Sequence, residues 1–130
     1  MCLTITNRNK RRTTKTNVSC FKILNYNSYG EYFTPFQRCK IDIGGEYFSN
    51  LRTSGFLNTK VEIGIHSFVR LKDAKRIIST HDGLSNCVII KCYIPSGSEY
   101  YQGLFKVIDD FDYPCYTSTA IKYVEELPLN

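Results

Sequence analysis

The sequence predicts a single α+β domain, a curved and mostly antiparallel β-sheet carrying one main helix at about residues 69–79. Three observations lead there. Short runs rich in β-branched and aromatic residues alternate apolar and polar positions, the period of a half-buried strand. Only one stretch has helical spacing, and it lies in mid-chain between two sets of strands. At 130 residues, 42% apolar and 14% aromatic, the chain suits one core and is too short for two ordinary domains.

Residues 20–24, CFKIL, form the first core strand, with Cys20, Lys22 and Leu24 on one side and Phe21 and Ile23 on the other. NYNSYGEY, rich in Asn, Ser and Gly, is a loop. CKIDI places Cys39, Ile41 and Ile43 inward, and Gly44-Gly45 ends it at a turn. KVEIGIHSF puts Val61, Ile63 and Ile65 on one face and Glu62, Gly64, His66 and Phe68 on the other. His66 therefore points away from the apolar face, with Gly64 leaving an open patch of sheet beside it. Leu71, Ala74 and Ile78 then recur at helical spacing, and Ser67 is placed to cap the helix. THDGLSN ends the helix, and CVIIKCYI is the strongest strand, with Val88, Ile90, Cys92 and Ile94 on one apolar face. PSGS turns the chain into EYYQGLFKVI, a strand interrupted at Gly103; DDFDYP is an acidic loop, and TAIKYVEEL is the last strand.

The net charge of +5 is local. Arg8, Lys10, Arg11, Arg12 and Lys15 lie within RNKRRTTK; 17 basic residues less these 5 leave 12, against 12 acidic ones. The organisation read from this is a basic arm at residues 1–17 and a domain at residues 18–130. The arm is expected to be solvated and to add little to folding. It also offers a contact for nucleic acid, an acidic partner or an anionic surface.

MCLTITNRNKRR sets its basic cluster after a very short apolar run, the reverse of a secretory leader. No stretch approaches the roughly 18 apolar residues of a membrane span. A soluble cytoplasmic protein with no membrane association is expected. In that compartment Cys2, Cys20, Cys39, Cys87, Cys92 and Cys115 act as small hydrophobes, and no disulfides are expected. There is no CxxC, and Cys87 and Cys92, five apart, fall on opposite faces of a strand, so no metal is expected.

Catalytic patterns are missing. There is no GxSxG, no phosphate-cradling GxxxxGK[ST] and no dinucleotide GxGxxG. His66 and Ser67, as neighbours in a strand, point to opposite faces. Cys87 with His66 or His81 has no local signature of a cysteine protease. Cys2 would gain a neighbouring amine base only if Met1 were removed. No catalytic residue and no cofactor are assigned from the residues alone.

CFKIL, GIHSFVRLKDAKRI and CVIIKCYIPSGSEYYQG, with the opening Met1-Cys2-Leu3, together resemble a group of small uncharacterised proteins of gut Bacteroidetes, related anaerobes and their phages. The resemblance covers residues 20–127 and implies a bacterial or phage accessory protein acting on a host partner, in the host cytoplasm if phage-encoded. At greater distance the order of elements is similar to a degenerate mono-ADP-ribosyltransferase core. That likeness implies an NAD-binding patch in which Lys22 takes the first-strand place, His66, Ser67 and Phe68 the second, and Ser118 or Thr119 the third. Lys22 stands where that family has Arg or His, YTSTAI lacks the catalytic acid, and Glu125 and Glu126 lie too far along.

Two expectations follow. The main one is a small interaction protein without catalytic activity, its ten tyrosines supplying contact area for a protein partner. The alternative is an NAD-binding domain using the patch around His66. For His66 itself the readings are a half-exposed sheet histidine packed beside Phe68, or the floor of a cleft at a helix N-terminus, where anions are attracted.

Overall fold

The computed structural model describes residues 3–5, 11–35, 38–54, 60–80, 86–106 and 111–129. Arg8, Lys10, Cys2 and His81 lie outside the described residues. The described elements are β1 (Leu3–Ile5), β2 (Arg12–Thr13), β3 (Val18–Tyr26), β4 (Tyr32–Phe33), β5 (Lys40–Ile41), β6 (Glu46–Phe48) and β7 (Arg52–Ser54), followed by β8 (Lys60–Ile63), β9 (Ile65–Phe68), α1 (Leu71–Thr80), β10 (Cys87–Ile94), β11 (Glu99–Lys106), β12 (Asp112–Ser118) and β13 (Ala120–Leu127). The strands join in the order β6-β13-β10-β3-β9-β12-β11-β1-β8-β7, with β2 on β11, β4 on β3 and β5 on β4. Every pairing described is antiparallel.

β3 and β10 are the spine of this sheet, in register from Cys87 opposite Asn25 to Ile94 opposite Val18. Both faces are covered here, so their sequences are nearly continuous apolar runs instead of strict alternations. On one face Ile23, Cys87 and Ile89 pack with Tyr113, Cys115 and Val61 beneath Ala74 and Ile77 of α1. On the other, Cys20, Leu24, Ile90, Cys92 and Ile94 pack with Ile121, Tyr123 and Ile41. No helix among the described residues is long and apolar enough to cross a membrane.

The α+β class is corrected to a single β-rich fold with one short helix. Two local features account for the difference. Stretches that sequence patterning leaves as loops contain short strands, such as Tyr32–Phe33 inside the asparagine-rich segment and Asp112–Ser118 running out of the acidic loop. The run at residues 60–68 is two strands, split at Gly64, whose φ of 151° suits glycine and turns the chain to new partners. β8 pairs with β1 and β7, whereas β9 pairs with β12 and β3.

Smaller corrections follow the same lines. β11 runs through Gly103 without interruption. Of Cys39, Ile41 and Ile43, only Ile41 is buried, because β5 stops there and the chain turns at Gly44, φ 93°. Ser67 is no helix cap: it lies in β9, and α1 starts at Leu71, where Arg70 Nε holds the buried carboxylate of Asp73 at 2.9 Å.

Candidate functional site

β9 lies between β3 and β12, and this brings several of the expected site residues into one neighbourhood. His66 faces Thr117, and Ile65 faces Ser118. Phe68 faces Phe21, so by the same register Ser67 comes beside Lys22. Phe68 packs edge-on against Tyr113, with ring centroids 6.4 Å apart and planes at 89°.

The patch beside His66 is filled, not open. A Cβ on Gly64 would meet the Thr117 methyl carbon at 2.3 Å and a Leu51 methyl carbon at 2.6 Å. Glycine is thus required for close packing, and the space expected next to the imidazole is occupied. The imidazole Nε2, the Ser67 hydroxyl and the Thr117 hydroxyl are each buried without a hydrogen-bond partner. Burial, and then the charge of Lys22, press the His66 pKa down to about 4, against a weaker opposing bond to the Gly64 backbone. His66 is therefore neutral at physiological pH and has no free ring nitrogen facing solvent.

The remaining residues divide. Ser118 Oγ donates to the Ala120 carbonyl at 2.9 Å, closing the β12–β13 corner on itself, and Thr119 Oγ1 accepts from the Glu99 amide at 3.0 Å, fastening that corner to β11. Lys22 is half-buried between the sealed residues Cys20 and Leu24, and no ion pair among the described residues involves it. Burial lowers its pKa, and only ionisation of the neighbouring Cys92, Cys20 or Cys115 thiols would oppose this. Burial pushes the Cys20 thiol up to about 11, against a weaker opposing effect of the neighbouring Ser67 hydroxyl. Glu126 accepts from the Tyr32 hydroxyl at 2.7 Å, and Glu125 is exposed. His66, Ser67 and Lys22 are neighbours, but they do not converge on an accessible point.

The basic segment is joined to the sheet edge from Arg11 onward. Arg11 pairs with Glu99, and Arg12 and Thr13 pair with Tyr100 and Glu99 of β11. Thr14 is buried; its hydroxyl donates to the Pro95 carbonyl at 2.8 Å and accepts from the Ser98 amide at 3.1 Å. Lys15 is exposed.

An open groove lies elsewhere, at the end of β3 where β4 and the residue before β10 meet. Asn25, Asn27, Asn86, Ser28, Tyr26, Phe33 and Arg38 line it. Its rim is ordered by local chemistry. The Asn27 side-chain carbonyl accepts from the amides of Tyr29 at 3.0 Å and Glu31 at 2.9 Å, an Asx turn that lets the chain reverse at Gly30, φ 79°. Tyr26 and Tyr32 rings pack 5.2 Å apart, and Tyr29 stands 86% exposed at the tip. Arg38 adopts φ 53°, with its amide donating to the Thr34 carbonyl at 3.0 Å and its guanidinium in no ion pair among the described residues. Sequence reasoning passed over this groove as loop composition; the signal was the clustering of Asn, Tyr, Ser and Gly in residues 25–32.

No family model, curated protein or solved structure matches the chain.

Proposed function

We propose that the protein is a non-catalytic interaction module that docks a protein partner in the groove between β3, β4 and Asn86. The observation that carries this reading is the lining itself. Asparagines, a serine, aromatic rings and an arginine that is in no ion pair among the described residues converge from β3, β4, the turn at Arg38 and Asn86, beside a loop whose shape is held by the Asn27 turn. Tyr and Arg give rigid contact area at low entropic cost, and Asn and Ser adapt their hydrogen bonds to a partner's backbone. Holding the loop in place lowers the ordering cost of binding. Nucleotide binding at the His66 patch has no such support, since the polar atoms there are sealed.

The test is capture of a partner from a bacterial lysate by immobilised protein, repeated with Tyr26→Ala and Arg38→Ala. Each substitution should weaken retention of the same partner at least tenfold, about 1.4 kcal/mol, with the fold intact. Addition of NAD should leave the melting temperature unchanged, whereas a bound ligand at 100 times its Kd would add about 2.7 kcal/mol of stability. Retention unaffected by either substitution, or a clear stabilisation by NAD, would contradict the reading.

A further inference from the structure

Cys20 on β3 and Cys92 on β10 stand directly opposite each other, both sealed on the face away from α1. Neither is in a disulfide, and the Cys92 thiol donates to the Ile90 carbonyl at 3.4 Å. Facing Cβ atoms of an antiparallel pair lie about 4.5–5.5 Å apart. Each sulfur lies one bond beyond its Cβ and can swing toward or away from the facing one, so the pair can place its two sulfurs on either side of one ion, as a linear bis-thiolate requires. Lys22 follows Cys20 on the same face, and no carboxylate among the described residues pairs with it.

Charge balance selects the occupant. Charges are held in a core only when they are nearly neutralised there. Two thiolates with a monovalent cation carry one negative charge, which the Lys22 ammonium cancels. A divalent ion would leave a positive charge, and zinc would ask for four ligands. Among the described residues no three His, Cys, Asp or Glu side chains gather to hold a metal. A Cys20–Cys92 disulfide would be neutral but would leave Lys22 with no counter-charge. Thiolates favour soft cations of the Cu(I) type.

We infer that Cys20 and Cys92 form a two-coordinate site for a soft monovalent cation, Cu(I) or Ag(I), with Lys22 as its counter-charge. Binding replaces two S–H bonds by two metal–sulfur bonds and releases both protons, with no change of oxidation state. Lys22 keeps accessible surface between its sealed neighbours, which gives the ion a way in beside Cys20.

The experiment titrates reduced, oxygen-free protein with Ag(I), and with Cu(I) held by a competing chelator, following uptake by native mass spectrometry. Cys2→Ser and Cys39→Ser are introduced together to remove thiols outside the pair. One cation per chain is expected, with no matching uptake of Zn(II). Cys20→Ser and Cys92→Ser should each lower affinity at least a hundredfold, and Lys22→Met at least tenfold, while Cys87→Ser and Cys115→Ser should leave it unchanged. Should the serine variants fail to fold, X-ray absorption of the Cu(I)-loaded parent decides: two sulfur neighbours are expected, and three or four ligands would overturn the site. Absence of uptake, or uptake that survives loss of Cys20 and Cys92 in folded variants, would also overturn it.

Discussion

At the scale of single residues, Gly64 and its neighbours decide whether the His66 patch is packing or site. Gly64→Ala adds a clash with Thr117 and Leu51 to an unfavourable φ, and should cost about 2–4 kcal/mol by urea denaturation. Gly97→Ala has φ 86° but nothing within 4 Å, and should cost about 1 kcal/mol. Thr117→Val removes a buried hydroxyl that lacks a partner while keeping the shape, and should stabilise by about 1 kcal/mol. His66 adds a pH signature. Its folded pKa of about 4 lies below the ordinary value, so the unfolded chain binds its proton first as pH falls. Stability should therefore drop by roughly 3 kcal/mol at most between about pH 6.5 and 4, and His66→Gln should flatten that window. A profile unchanged by His66→Gln would show that the imidazole is solvated. The alternation read across residues 61–68 does not hold: the chain turns at Gly64, so Val61 and Phe68 pack in one core, Ile65 against the other, and Ile63 is exposed. Neither this break nor the filling of the space beside Gly64 was legible in the sequence, because both depend on strands arriving from elsewhere in the chain.

At the scale of elements, the strands that read clearly are those with long apolar runs. Residues 87–94 and 18–26 become the spine of the sheet, and the helix lands within two residues of its expected start. Short edge strands escaped because two or three residues hold no period. Ser67 reads as a cap only while β9 is taken to end before it; Arg70 and Asp73 start the helix instead. The basic segment shows the same limit. Five like charges suggest solvent, yet Thr14 is tied to Pro95 and Ser98 and is 5% exposed. Thr14→Val should consequently cost about 1–2 kcal/mol, measured as a shift in the urea midpoint. Arg11→Ser, which removes only an exposed pair with Glu99, should cost less than about 1 kcal/mol. A larger loss from Arg11→Ser than from Thr14→Val would show that charge, not the threonine, anchors this segment.

At the scale of the whole molecule, one antiparallel sheet separates two cores and leaves an ordered, polar and aromatic groove at the end of its spine. The tyrosine content and lack of catalytic motifs led to the interaction reading; the groove proposed for it needed the fold, since Asn86 is far from Tyr26 in sequence. The most direct measurement is a pair of amide NMR spectra of labelled protein, free and with a partner obtained by capture. Shifts concentrated at residues 25–34, Arg38 and Asn86, with residues 65–68 unmoved, are the expected result. Shifts centred on His66, Ser67 and Lys22, with the groove silent, would contradict the assignment of the binding surface.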